Sequence, residues 1–361
     1  MYFGLSEEQL MIQDSFRRSL ERSVNLDSIR TVSATEQFMD AALWQELTEL
    51  GMPALMISEK YGGAGLGLLE AAVVAEEIGR SAAPVPFIGT SVMAPLALDL
   101  AGSEDQKATW LPKLASGKTR IGIAFADRAS GVRRGSGVTA EDSILNGKTS
   151  FALDMGEAEA LIVADAEGNL YLVENAARGL AITYLPTIDG TRTTAEITFH
   201  NVEAEKLPQG TPDLLHRIVN AGRIAMAAES YGAADDMLRQ AVAYAMDRKQ
   251  FDRIIGSFQA VKHMCAEMAA ELQPCRALIW YAAYAFDAEQ DDVTLSALLA
   301  KSHMDDIGQM IARTATEVHG GMGYTDLLGL HFWFKRIGFN RAQLGGPEKL
   351  RQEAALLQGF G

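Results

Sequence analysis

Arg248-Lys249-Gln250-Phe251-Asp252-Arg253-Ile254-Ile255-Gly256-Ser257-Phe258-Gln259 lies between two stretches of helical periodicity. Before it, Leu215, Ile218, Ile224, Ala228, Tyr231, Leu238 and Val242 form one apolar stripe. After it, Phe258, Val261, Cys265, Met268 and Leu272 form a second. Apolar residues recurring every three to four positions mark the buried face of a helix. Two cations, an amide and an aromatic are therefore gathered where one helix ends and the next begins. An arginine fork there can grip a pyrophosphate; a solvated helix end carries the same residue types. Asp291-Asp292 fits the start of a third helix containing Leu295, Leu298, Met304, Ile307, Ile311 and Val318, and a fourth helical stretch is expected over Leu330–Leu357. Four long helices with short connections predict an antiparallel four-helix bundle over residues 211–361.

The third helix ends in Glu317-Val318-His319-Gly320-Gly321-Met322-Gly323-Tyr324. Glycine is the usual helix terminator. Three glycines in four positions exceed that need and would let a backbone approach a ligand closely. Upstream, residues 121–210 alternate short β-prone runs with turns. Ala160–Val163, Leu170–Val173, Ala181–Tyr184 and Ala195–Phe199 are the runs, with Glu167-Gly168-Asn169 and Asp189-Gly190 as turns. This predicts a small middle β-barrel or sandwich domain. Residues 1–120 read as an N-terminal helical domain. Ser6-Glu7-Glu8-Gln9 fits a capping box, and helical patterns follow around Ala41–Leu50, Leu68–Ile78 and Glu104–Ala115. Tyr61-Gly62-Gly63-Ala64-Gly65-Leu66-Gly67 invites a phosphate-loop reading, but no strand pattern precedes it, so a tight helix–helix loop is expected. The fold class is thus mainly α with a β domain.

A chain of 361 residues is long enough for two or three packed domains. A net charge of -15 argues against a nucleic-acid partner, which needs a basic face. It leaves room for local basic sites, at Arg248, Lys249, Arg253 and at Lys335, Arg336, Arg341. No apolar run is long enough for a membrane span. Met1–Glu8 has neither the basic nor the apolar region of a secretory signal. Cys265 and Cys275 read as small buried residues in a reducing, cytoplasmic setting. The six histidines show no metal-ligand spacing, and no nucleophile triad is evident.

Several segments together resemble one family, the acyl-CoA dehydrogenases. They are Leu5–Gln9; Tyr61–Gly67 with Glu76-Glu77; Gly102–Lys107 followed by Leu111–Gly117; Arg248–Phe251 with Phe258–Val261; and His319–Thr325. The resemblance covers nearly the whole chain and implies the same three-part fold. It implies an FAD cofactor and an acyl-CoA substrate from which a carboxylate base removes the α-proton. It also implies an electron-transfer flavoprotein or similar acceptor. By the same resemblance Arg248, Gln250, Phe251, Gln259, Glu317, His319, Gly320 and Gly321 would hold the dinucleotide, although the family more often has Gln at the place of Glu317.

The departures from that pattern carry the functional reading. The family's base lies just before a Gly-Thr pair in the last helical segment, or immediately before an Arg in the first bundle helix. Here these places fall on Leu344 or Gly345 and on Gly222, so neither offers a carboxylate. Glu229 is the weak remaining candidate, seven residues beyond Gly222 and so about 10 Å along the helix. The segments that touch the flavin ring in the family read Phe125-Ala126-Asp127-Arg128-Ala129-Ser130 and Phe151-Ala152-Leu153, and the stretch between them is shortened. The expectation is a base-less small subunit in an α2β2 assembly. It would contribute pyrophosphate and adenosine contacts in trans to a larger acyl-CoA dehydrogenase subunit that holds the base. The substrate would be an acyl-CoA, in some relatives steroid-derived. A self-sufficient flavoenzyme with another base, and a non-catalytic acyl-CoA-binding or partner-stabilising homolog, are the alternatives.

Overall fold

Ser6 opens the first helix by a reciprocal cap: its hydroxyl accepts from the Gln9 amide at 3.2 Å, and the Gln9 side-chain oxygen accepts from the Ser6 amide at 2.8 Å. The computed structural model describes residues 4–35, 38–131 and 135–360. Met1–Phe3, part of the N-terminal reading, and Val132–Arg134, inside the shortened stretch, lie outside the described residues. The N-terminal region holds α1 (Glu7–Ser23), α2 (Leu26–Ala34), α3 (Ala41–Glu49), α4 (Leu68–Arg80), α5 (Ala94–Ala101) and α6 (Glu104–Ala115). A π-helical turn, Ile88–Met93, leads into α5. The glycine-rich loop before α4 leads directly into that helix, with no strand before it among the described residues. Asp287 already occupies the start of α4, accepting from the amides of Leu68 at 2.8 Å and Leu69 at 3.0 Å.

The middle region contributes β1 (Ile121–Ala124), the short helix α7 (Ala126–Ser130), β2 (Gly137–Glu141), β3 (Ile144–Leu153), β4 (Ala160–Ala164), β5 (Leu170–Glu174), β6 (Leu180–Leu185), β7 (Thr194–Glu203) and β8 (Glu205–Lys206). They form one sheet in the order β6-β7-β3-β1-β4-β5-β8, with β2 paired to β3. Among the described residues only β1 and β4 pair in parallel. All four runs expected from the sequence lie in strands. The β2–β3 hairpin is an addition. Its turn is Asp142-Ser143, with φ of +48° and +64°. That geometry usually recruits Asn-Gly, so the sequence carries no strong turn signal there.

Alternation along the strands divides the sheet's two faces. Leu161, Val163, Tyr171 and Val173 pack with Leu145, Ile197 and Phe199 on the sheet's own inner face. Ala160, Ile162, Leu170 and Leu172 pack instead into the same core as the helical residues Leu98 and Leu215. The sheet therefore curls over its own core while its back lies against the helices.

The C-terminal region is α8 (Pro212–Asp247), α9 (Gln259–Asp287), α10 (Val293–His319), α11 (Leu330–Ala342) and α12 (Pro347–Leu357). The expected continuous helix over Leu330–Leu357 is corrected to two. Leu344 at φ +54° and Gly345 at φ +102° leave the right-handed helical region, and Pro347 starts the next helix. Helices α4 and α8 cross at glycine: a Cβ on Gly79 would lie 1.9 Å from the Glu229 carbonyl oxygen, and one on Gly232 1.8 Å from that of Glu76.

Candidate functional site

The antiparallel run of α8, α9 and α10 brings the end of α8, the start of α9 and the end of α10 to one end of the bundle. The Tyr244 and His319 rings, 4.6 Å apart, join the first and last of these. Between α8 and α9 the chain makes a hairpin of β9 (Lys249–Gln250) and β10 (Arg253–Ile254). Phe251 and Asp252 turn it at φ +52° and +61°, which leaves Phe251 86% exposed. Arg248, Gln250, Gln259 and Glu317 are exposed at the same end. Among the described residues the Arg248 guanidinium engages no side chain, while Arg253 lies 3.9 Å over the Phe258 ring. Gly320 has φ +59°, and a Cβ on either Gly320 or Gly321 would meet nothing within 4 Å. A free fork and open glycines suit a dinucleotide phosphate. His319, expected among the dinucleotide contacts, is buried: its Nδ1 is 2.7 Å from the Ala315 carbonyl oxygen, and burial lowers its pKa.

The two places expected to carry a base converge. A Cβ on Gly222 would lie 2.7 Å from Leu344 Cδ1 and 2.6 Å from Met93 Sδ. Leu344 is 1% exposed and Met93 fully buried, so the spot is filled by hydrocarbon and sulfur. Arg223, next in α8, locks the arrangement. Its Nε donates to the Leu344 carbonyl at 2.9 Å, its Nη1 to Asn220 at 3.0 Å, and Glu353 lies 3.3 Å from its Nη2. Burial holds this guanidinium below its ordinary pKa, against the pull of Glu353. Sequence reasoning missed Met93. Its only signal was a place in an apolar segment, where nothing distinguishes a plug from ordinary core.

Glu229 is 1% exposed and fully engaged. Its Oε1 accepts from Arg192 and from Arg336, the latter at 2.9 Å, and its Oε2 accepts from Asn340 at 2.9 Å. Buried and held by two guanidiniums, this carboxylate is not presented to a substrate proton. The sequence's second basic cluster is corrected accordingly: Arg336 is fully buried in this network and is no part of a surface patch.

The segments compared with flavin-ring contacts present little. Phe125 is buried, Asp127 accepts from Ser136 Oγ at 2.7 Å, and α7 runs through Ala126–Ser130. Phe151 sits at φ +59° where β3 shifts register against β7. The residues present therefore fit the phosphate-bearing half of a flavin dinucleotide better than its ring. A separate cleft of about 630 Å³ opens beside Arg223, walled by His216, Arg217, Phe286, Leu298 and Leu356 among others. No described helix is long and apolar enough to cross a membrane, and no described residues form a metal-binding group.

Residues 6–118 match the family profile of the acyl-CoA dehydrogenase N-terminal domain, and residues 209–353 that of the acyl-CoA dehydrogenase C-terminal domain. Acyl-CoA dehydrogenase IpdE2 of Mycolicibacterium smegmatis is 30% identical over 352 residues, covering 96% of this chain and 98% of that protein. The chain belongs to the acyl-CoA dehydrogenase family. A second relative of the family, the caffeyl-CoA reductase-Etf complex subunit CarC of Acetobacterium woodii, is 26% identical over 90% of both chains. The solved structure of the Tcur3481-Tcur3483 steroid ACAD G363A variant superposes with a TM-score of 0.90 at 28% identity, covering 98% of each chain. Within this acyl-CoA dehydrogenase fold, the filled contact of Gly222, Leu344 and Met93 coexists with an exposed Arg248.

Proposed function

We propose that this chain is the base-less subunit of an FAD-dependent acyl-CoA dehydrogenase. It would lend the end of its bundle to a flavin held mainly by a larger partner. The observation that carries this reading is the meeting of Gly222, Leu344 and Met93. A side chain growing from Gly222 would meet the side chains of Leu344 and Met93, and neither is a carboxylate. General-base catalysis needs a proton acceptor at about 3 Å. Glu229, sealed by Arg192 and Arg336, does not supply one.

Arg248 would take the pyrophosphate, Gly320 and Gly321 would admit it at backbone distance, and Gln250, Phe251, Gln259 and Glu317 would border the adenosine. Bound FAD supplies a hydride acceptor for acyl-CoA desaturation. This chain's own contribution is to hold and orient, with the base coming from the partner. The steroid ACAD relative supports a bulky, steroid-derived acyl group, and the Etf-linked relative supports a flavoprotein electron acceptor. Co-expression tests the reading. The chain alone should carry little FAD by its visible spectrum, while the complex with a base-bearing acyl-CoA dehydrogenase subunit should carry FAD and turn over. Stoichiometric FAD and turnover in the single chain would overturn it.

The cleft beside Arg223 favours one second reading, a non-catalytic homolog that binds an acyl-CoA. Calorimetry with a non-reactive acyl-CoA thioether separates the two. Tight binding to the chain alone, without any flavin-retaining partner, belongs to the second reading.

A further inference from the structure

Arg336 of α11 is fully buried, yet each of its three nitrogens donates a hydrogen bond, and the bonds reach all three regions of the chain. Nε donates to Asp189 Oδ2 at 2.6 Å, and Nη1 to Glu229 Oε1 at 2.9 Å. Nη2 donates to Thr191 Oγ1 at 2.5 Å and to the carbonyls of Ala82 at 3.4 Å and Ala83 at 3.3 Å. Asp189 and Thr191 belong to the β6–β7 connection; Glu229 belongs to α8; Ala82 and Ala83 belong to the link between α4 and the π-helical turn. Arg192, also buried, repeats the pattern by donating to the Val85 carbonyl and to Glu229. Two guanidiniums thus bridge the same carboxylate, the same sheet connection and the same N-terminal link.

We infer that Arg336, Arg192, Glu229 and the Asp189–Arg192 connection form a three-way latch, so that residues 82–85 and residues 189–192 open together and not separately. The physical reason is the cost of a buried charge that loses its partner. If the sheet connection swings out, Arg336 loses Asp189 and Thr191 and cannot gain water while the other two sides stay closed. The remaining contacts are then strained as a set, so the sides release as a unit. An ordinary packed interface, made of independent apolar contacts, has no such all-or-none character. Lysine cannot replace Arg336, because one ammonium cannot span the acceptors that a planar five-donor group serves.

Amide hydrogen exchange on the full chain tests the latch. The reporters are the amides of Ala82, Ala83 and Val85 on one side and Thr191 and Arg192 on the other, all bonded within their own segments. In Arg336→Met and in Arg336→Lys, exchange should rise at least about tenfold on both sides together, while β4 and β5 keep their protection. Thr191→Val removes one acceptor and introduces no charge, and serves if the arginine variants fail to fold; both sides should again loosen, by a smaller and equal factor. Loosening confined to one side, or none on either side, would overturn the inference.

Discussion

Gly222 of α8 and Leu344, between α11 and α12, occupy one contact: a Cβ added to the first would stand 2.7 Å from Cδ1 of the second. Two positions 122 residues apart in the chain are therefore a single place in the fold. Gly222→Ala sets a helix-propensity gain of about 1 kcal/mol against overpacking of about 1–3 kcal/mol. The atoms met are the ends of the buried Met93 and Leu344 side chains, which must shift within the core, so a net loss is expected. Adding Leu344→Ala should recover part of the loss attributed to Gly222→Ala. Urea denaturation of the four proteins of the cycle gives the coupling; strict additivity would mean that the two residues do not press on one another.

Arg248→Ala should weaken FAD retention in the assembled enzyme about a hundredfold. Charge-assisted hydrogen bonds from a guanidinium to a pyrophosphate are each worth about 1.5–3 kcal/mol. Because Arg248 is exposed, the fold should lose no more than about 0.5 kcal/mol. Flavin content after gel filtration, beside a thermal melt, checks both halves of this expectation. Full retention would make Arg248 a solvated helix end.

Glu229→Gln should act on stability and not on chemistry. The change leaves Arg192 and Arg336 without their shared carboxylate, and breaking a buried ion pair costs about 3–5 kcal/mol. Turnover per assembled, flavin-loaded enzyme should fall less than about tenfold, whereas losing a general base costs about 100- to 10,000-fold. Denaturation and single-turnover kinetics on the same preparation distinguish the two roles. A normal melt with a thousandfold kinetic loss would return Glu229 to the chemistry.

Lys301 and Asp305 form a buried pair, with Nζ 2.8 and 2.7 Å from the two carboxylate oxygens and 2.9 Å from the Asn340 carbonyl. Burial pushes Asp305 up to about 6, against the opposing pull of Lys301. Lys301→Met removes that pull, so the Asp305 pKa should climb further. A folded-state pKa above the unfolded value means that the folded protein binds the extra proton, and stability falls as pH rises through the window between the two. The Lys301→Met penalty, about 3–5 kcal/mol at pH 8, should therefore shrink as pH is lowered toward 5. Adding Asp305→Leu should remove most of the penalty and flatten its pH dependence. A penalty that grows on acidification would contradict this account.

Much of the fold was legible in the sequence because it is written in local periodicity. The stripes of α8 to α10 and the four expected strand runs need only a count of apolar spacing. The break after α11 was less legible, since Leu344 is a helix former by propensity yet adopts φ +54°, with its carbonyl accepting from Arg223. The β2–β3 hairpin escaped for a similar reason, as Asp142-Ser143 holds a turn that its residue types do not announce.

By itself the sequence determined the order of helical region, sheet and bundle, the motif that sets Arg248 beside an aromatic turn, and the absence of a carboxylate at residues 222, 344 and 345. These are properties of residue identity and short-range spacing. Tertiary structure alone decided that Gly222, Leu344 and Met93 share one filled place, that Glu229 is caged, and that Arg336 is buried against Asp189 and Glu229 and is not surface charge. Each depends on segments remote in the chain coming into contact, and spacing along the sequence carries no record of which remote partner a buried charge will find.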